Sequence, residues 1–106
     1  MLHGYIIRGT TPTHEFGIPY NQDIIRDIRV TYGQNNKALF TKDINDCKIE
    51  NGKVSVSLIQ EETFLFVPNK KVTVEIRVLT MDGDVVRNED PITLRVIDSM
   101  NDEVLE

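Results

Sequence analysis

The chain has 106 residues, of which 40% are hydrophobic and 27% are charged, a composition typical of one globular domain with a single core. Seventeen acidic residues against twelve basic ones give a formal net charge of −5, which argues against nucleic-acid binding because phosphate contacts need clustered lysine and arginine. The single cysteine excludes an internal disulfide and a cysteine-based zinc site.

The opening residues have no apolar stretch long enough for a signal peptide, and no apolar run approaches the ~20 residues of a membrane span. The one cysteine also suits a reducing compartment. We therefore expect a protein made in the cytosol that does not associate with membranes.

Short strands and one irregular crossing are predicted for the first part of the chain. Residues 5–8 are typical of a strand that the following Thr-Pro segment ends, because proline cannot donate a backbone hydrogen bond. Residues 14–18 predict a second strand with Phe16 and Ile18 inward. Residues 21–25 form either an irregular crossing or one helical turn.

Two antiparallel hairpins are predicted for the middle of the chain. Residues 27–33 alternate apolar and polar side chains, and residues 37–42 return as their partner after a polar turn. Residues 47–50 and 53–58 flank Asn51-Gly52, a dipeptide that favours a type I′ turn. Residues 43–46 are expected to form a loop.

One short helical turn is predicted between the middle strands and the last hairpin. Residues 60–66 depart from alternation, and residues 60–62 are reasonable helix formers. We expect a helical turn over residues 60–64 that carries the chain from one sheet to the other. The apolar residues after it, Phe64 and Phe66 or Leu65, would close the open end of the sandwich.

The clearest strand is residues 72–80, in which Val72, Val74, Ile76 and Val78 alternate with mostly polar residues. Asp82-Gly83 then indicates a tight turn. Residues 85–86 and 91–97 return antiparallel to it, so that a long hairpin forms the centre of the core.

Together these elements predict an all-β protein, an antiparallel β-sandwich of immunoglobulin-like, Greek-key character with about seven to nine strands. Residues 1–98 form the single domain. Residues 99–106 form an acidic, flexible C-terminal tail.

Three polar groups deserve comparison with catalytic or metal sites, and each has a simpler interpretation. His3 and His14 could meet on adjacent strands, but two imidazoles make a weak metal site, so surface histidines are favoured. The pair Glu61-Glu62 is far more typical of a solvated face than of acid–base chemistry. Asp82-Gly83-Asp84 lacks the spaced ligands of a calcium loop.

Cysteine and tyrosine offer no clearer chemistry. Cys47 lacks the cationic surroundings of a reactive thiol and is interpreted as a small buried hydrophobic residue. Tyr5, Tyr20 and Tyr32 could contribute to a sugar-binding platform, although core packing is favoured for Tyr32, which lies in the inward register. We expect no enzyme activity and no cofactor.

Three segments resemble a family of small proteins encoded among the tail genes of phages and prophages of Gram-positive bacteria. They are residues 7–14, residues 29–37 with 39–42, and residues 58–63 with 75–83. The resemblance covers roughly residues 7–98, and more distantly the layout is similar to the N-terminal β-sandwich of phage baseplate proteins.

The resemblance implies a structural or assembly role in the tail or baseplate, through contacts with other tail proteins or further copies of this chain. It implies synthesis in the bacterial cytoplasm and a place in the virion tail, without catalytic residues. The alternative is a carbohydrate- or host-surface-binding module of the same particle, with the tyrosines and the outward Leu79 and Ile97 as contact residues.

The first strand is the candidate contact with a partner. Its residues Tyr5, Ile6, Ile7 and Arg8 are apolar on both faces up to the final arginine, and a Thr/Pro segment follows. Because the unpaired N–H and C=O groups of an edge strand can pair with a strand of another chain, we expect this segment to bind outside its own domain.

Overall fold

The computed structural model describes residues 2–106, with side chains from Gly4 onward. The described chain consists almost entirely of strands and turns, which confirms the predicted all-β class. The strands are β1 Leu2–Ile7, β2 Thr13–Gly17, β3 Ile25–Gln34, β4 Lys37–Asp43, β5 Cys47–Glu50, β6 Lys53–Ser57, β7 Val72–Thr80, β8 Val85–Arg87 and β9 Ile92–Ile97.

Three short helical elements connect these strands. The helix α1 covers Gln60–Thr63, as predicted, and a 3-10 helix at Gln22–Ile24 matches the helical alternative for that crossing. A second 3-10 helix at Ile44–Asp46 lies where only a loop is predicted. There the Asp43 side chain accepts a hydrogen bond from Asn45 N–H, so that a capping interaction, and not an apolar pattern, orders this turn.

The strands form two sheets. The large sheet has the order β1-β9-β7-β3-β4, with β8 also paired to β7, and the small sheet has the order β2-β6-β5. The chain passes from one sheet to the other after β1, β2, β4 and β6. These crossings are those of a sandwich with Greek-key character.

The space between the two sheets holds a single apolar core. Inward residues from both sheets are buried together, and they alternate along each strand as predicted; those of the large sheet include Ile28, Val30, Tyr32, Val72, Val74, Ile76, Leu94 and Val96, and those of the small sheet include Phe16, Val54 and Val56. Phe66 is buried in the same core, whereas Leu65 is 52% exposed, so that Phe66 closes this end of the sandwich.

The predicted hairpins form with the expected turns. Asn51 and Gly52 have φ values of 54° and 73° between β5 and β6, as a type I′ turn requires. β7 pairs antiparallel with β8 near its end and with β9 near its beginning. The long central hairpin is therefore present, with its returning arm divided into two strands.

One pairing departs from a purely antiparallel sandwich, because β1 lies parallel to β9. These strands come from the two ends of the sequence, so no short turn connects them and no hairpin dictates their direction. Both strands run toward the end of the sandwich where α1 lies, since Gly9 and Thr10, which follow β1, contact Thr63. In the described residues no helix is long and apolar enough to cross a membrane.

Candidate interaction edge

Five strands of the two sheets have a neighbour on one side only, and they differ in charge. Four of them carry charged side chains, namely Glu15 on β2, Lys37, Lys42 and Asp43 on β4, Lys48 and Glu50 on β5, and Arg87 on β8. In β1, Leu2–Ile7, there is no lysine, arginine, aspartate or glutamate. Because charges on an edge discourage pairing with another chain, β1 is the least protected edge of the sandwich.

The backbone of β1 has hydrogen-bonding groups that point away from its neighbour. Arg8 N–H donates to Ile97 C=O at 3.0 Å, which fixes the alternation along the strand. The backbone groups of Ile6 therefore face β9, and those of Tyr5 and Ile7 face outward. Of these outward groups, the Ile7 carbonyl accepts hydrogen bonds from Thr10 N–H at 3.2 Å and Thr10 Oγ1 at 2.6 Å.

The side chains of β1 divide between the core and the surface. Ile6 is fully buried, whereas Tyr5 is 57% exposed and Ile7 is 38% exposed. In the large sheet Tyr5 is next to Arg95 and Ile7 is next to Ile97. An added strand at this edge would thus meet the exposed Tyr5 and Ile7 side chains on the outer face of the sheet, with Arg95 behind Tyr5.

Arg8, the fourth predicted contact residue, is occupied by groups of its own chain. Its Nη1 donates to Asp98 Oδ1 at 2.7 Å and to Asp102 Oδ1 at 3.3 Å, and its Nη2 donates to Phe64 C=O at 3.2 Å. The guanidinium also lies 5.4 Å from the centre of the Phe64 ring. Arg8 therefore fixes the end of β1 and is not a free group for a partner.

The same ion pair affects the titration of Asp98. The hydrogen bond from Arg8, and after it the backbone hydrogen bond from Ser99, lowers the pKa of this carboxyl group. The Asp98 side chain is 53% exposed, so solvent screens the pair.

Thr63 anchors the segment that follows β1. Its Oγ1 accepts a hydrogen bond from Gly9 N–H at 3.0 Å and lies 3.0 Å from the Thr10 carbonyl, to which it can donate. Gly9 has a φ of 83°, and a Cβ atom there would lie 2.6 Å from Phe64 Cζ. Only glycine fits this approach to the aromatic ring without a shift.

The C-terminal segment, residues 98–106, contacts α1. Gln60 Nε2 donates to Leu105 C=O and Leu105 N–H donates to Gln60 Oε1, each at 2.9 Å. The segment has no helix or strand and is mostly exposed. The flexibility of this segment stays a prediction. The two hydrogen bonds between Gln60 and Leu105 place the segment against α1.

A cleft of about 580 Å³ opens beside β1, between the two sheets. It is lined by Gly4 and Tyr5 of β1, residues 13–17 of β2, and Ile92 and Leu94 of β9. A Cβ atom at Gly4 would lie 3.5 Å from Leu94 Cδ2. A side chain at Gly4 would therefore contact Leu94 at the wall of this cleft.

His14 lies partly buried on β2, so its interpretation as a surface histidine is wrong. Its Nδ1 is 2.8 Å from Tyr32 Oη. Burial lowers the pKa of His14 and raises the pKa of Tyr32, and both groups are neutral near pH 7. No local sequence pattern indicates the contact between His14 and Tyr32, because their strands, β2 and β3, belong to different sheets.

A histidine metal site is not assembled in the described part of the chain. No group of three or more His, Cys, Asp or Glu side chains in that part could hold a metal ion. His3 is the second histidine that was considered for a metal site, and its side chain is not among those that the structure describes.

Glu62 forms an ion pair and does not lie on a solvated face with Glu61. Lys42 Nζ is 2.6 Å from Glu62 Oε2, and the two side chains are only 13% and 18% exposed. Glu62 Oε1 also accepts a hydrogen bond from Ile59 N–H at 2.9 Å. These contacts join β4 to α1, while Glu61 stays exposed.

Cys47 is half-buried, so its predicted burial is only partial. Burial, followed by the nearby carboxylates of Asp46 and Asp43, raises the pKa of this thiol to about 11. The thiolate needed for nucleophilic attack is therefore scarce near pH 7.

The three tyrosines do not form a shared platform. Tyr32 is fully buried and stacks on Phe40, with ring centres 5.0 Å apart, which confirms its predicted place in the core. Tyr20 packs against the core from a loop, and Tyr5 is exposed on β1.

No family model matches this chain, and no curated protein matches it. The phage-tail family suggested by the three sequence segments therefore stays a prediction.

Proposed function

We propose that this chain is a structural or assembly protein of a phage or prophage tail or baseplate, and that it works by pairing β1 with a strand of another protein. The observation that carries the proposal is the uncharged edge of β1, with the outward N–H and C=O groups of Tyr5. Main-chain hydrogen bonds to such an edge supply affinity, and the flanking side chains supply specificity.

The partners in this proposal are other tail or baseplate proteins and further copies of this chain. The net charge of −5 supports protein partners over nucleic acid. In this proposal the protein is made in the bacterial cytoplasm and either assists tail assembly there or becomes part of the tail. The tail context itself is supported by the sequence resemblance.

A role without catalysis and without a cofactor is part of the proposal. The groups that resemble catalytic residues are engaged or unreactive: Glu62 pairs with Lys42, His14 bonds to Tyr32, and Cys47 has a raised pKa. Glycan binding, the alternative, receives less support because Tyr32 lies in the core and Tyr20 and Tyr5 lie on different elements.

The substitution Ile7→Lys in the producing strain tests the proposal. A lysine at this 38% exposed position places a charge on the edge without removing a buried side chain. We expect the protein to fold and accumulate normally while the yield of complete, tailed particles falls at least tenfold. The measurement is a count of tailed particles by electron microscopy beside the soluble protein level.

Val85→Lys is the matched control, because Val85 is 65% exposed on β8, which does not pair with β1. This variant should leave the particle yield unchanged. A normal yield of tailed particles from the Ile7→Lys strain would refute the role of β1 in assembly.

A further inference from the structure

We infer that the turn after β1, residues 7–10, blocks part of this edge and keeps free copies of the protein from associating through it. The inference rests on the proposed use of β1 and adds a means of controlling it. The other edge strands carry charged side chains, whereas β1 has no lysine, arginine, aspartate or glutamate. A contact of the backbone supplies the protection that charge does not.

Thr10 occupies the hydrogen-bonding position that an added strand would need at Ile7. The outward carbonyl of Ile7 accepts two hydrogen bonds from Thr10, one from its N–H at 3.2 Å and one from its Oγ1 at 2.6 Å. Gly9 is the third residue of this turn and has a φ of 83°, as the third position of a type II turn requires. Thr10 therefore lies on the outward side of β1, in the path of a strand that pairs beyond Tyr5.

Contacts with α1 and the residue after it hold the turn in place. Thr63 is fully buried, and its Oγ1 accepts a hydrogen bond from Gly9 N–H at 3.0 Å and lies 3.0 Å from the Thr10 carbonyl. Arg8 Nη2 donates to the Phe64 carbonyl at 3.2 Å. Each residue of the turn after Ile7 is thus bound to another part of the domain.

The turn limits what a partner strand can bind. The N–H and C=O groups of Tyr5 face outward, but pairing that extends to Ile7 must first remove Thr10 from the Ile7 carbonyl. Because these hydrogen bonds are lost on pairing, chance encounters between copies are disfavoured. A partner that makes further contacts of its own can displace Thr10.

Thr10→Val and Thr63→Val test the inference, because valine keeps the branched shape of threonine and removes the hydroxyl group. We expect the association constant of the purified full chain, measured by sedimentation equilibrium, to rise about fivefold or more, as loss of one hydrogen bond predicts. Thr10 is exposed, so Thr10→Val should fold even if the buried Thr63 does not tolerate valine. Urea unfolding verifies that each variant is folded.

Ile7→Lys, combined with Thr10→Val, assigns the added association to β1. The double variant should return to the wild-type association constant, because the lysine places a charge on this edge. Thr31→Val is the matched control. The Thr31 hydroxyl lies 3.0 Å from that of Thr41 on the same sheet, and β7 and β9 separate it from β1. Its loss should leave association unchanged.

Three results would overturn the inference: no increase in the folded turn variants, an increase that persists in the double variant, or an equal increase in Thr31→Val. The proposed function is tested separately by the particle yield. If the turn variants associate no more than the wild type but Ile7→Lys still lowers the yield of tailed particles, the proposed function stands and the blocking role of the turn is wrong. If they associate through β1 but Ile7→Lys leaves the yield normal, the turn blocks the edge and the proposed function is wrong.

Discussion

Arg8 connects the end of β1 to the C-terminal segment and to α1. It donates hydrogen bonds to three groups that are distant from it in sequence, the carboxylates of Asp98 and Asp102 and the carbonyl of Phe64. Its side chain is only 15% exposed. A single arginine therefore holds the end of the proposed interaction strand in place, while the apolar residues before it remain available.

His14 and Tyr32 form the polar contact between the two sheets in the aromatic part of the core. Their side chains lie 2.8 Å apart at the closest polar atoms, and Phe16 and Phe40 flank them. A charged imidazole is disfavoured there because burial removes its hydration. The protonation of His14 should consequently be coupled to unfolding.

We predict that the free energy of unfolding decreases as the pH falls below about 6.5, the usual pKa of histidine in an unfolded chain. Because burial lowers the pKa of His14, the unfolded state binds a proton in this range that the folded state does not. Stability is therefore fully present above this pH and decreases below it. Urea titrations between pH 7.5 and 5 measure the effect.

His14→Gln is the control for this prediction, since glutamine keeps a neutral polar group beside Tyr32. The variant should have a flatter dependence of stability on pH across the same range. An unchanged slope in His14→Gln would assign the pH dependence to other groups.

At the scale of elements, the β5–β6 hairpin depends on its two turn residues. Gly52 has a φ of 73°, and its carbonyl accepts a hydrogen bond from Ile18 N–H at 2.8 Å. The turn therefore sets the register of the small sheet and also holds the chain after β2. A residue that resists positive φ should disturb both.

Gly52→Val should reduce the free energy of unfolding by ~1–3 kcal/mol, because a β-branched side chain is strained at this φ. Gly52→Asn should cost clearly less, since asparagine tolerates the left-handed region. Thermal or urea unfolding of the two variants measures the difference. Equal stability of the valine and asparagine variants would argue against strain at this turn.

Elements with strong local signals could be predicted from the sequence. The alternation in β7, the Asn51-Gly52 turn and the helical turn before Phe64 each depend on neighbouring residues. The 3-10 helix at Ile44–Asp46 was harder to predict from the sequence, because hydrogen bonds to the Asp43 and Asp46 side chains order it. Local sequence patterns were therefore enough to predict the strands, whereas the short turns depend on side-chain hydrogen bonds.

Contacts between distant segments could not be predicted in the same way. The parallel pairing of β1 with β9 joins the two ends of the sequence, and the contact of Gln60 with Leu105 depends on where β9 delivers the chain. The hypothesis that residues 5–8 contact a partner was based on apolar side chains on both faces of the segment, which are visible in the sequence. The engagement of Arg8 could not be predicted, since its partners come from two distant segments, at Phe64 and at Asp98 to Asp102.

At the scale of the whole molecule, the sandwich has one edge suited to assembly. Four edge strands carry charged side chains, whereas β1 carries none and has a cleft beside it. Pairing of β1 with a strand of another protein would extend the large sheet.

Mass spectrometry of purified particles from the producing strain tests the central claim most directly. The copy number is determined by peptide counting against known tail proteins, in complete particles and in partial tail assemblies from the lysate. We expect this chain in a fixed ratio to tail proteins in at least one of these fractions. Its absence from both, with abundant free protein in the lysate, would contradict a structural or assembly role.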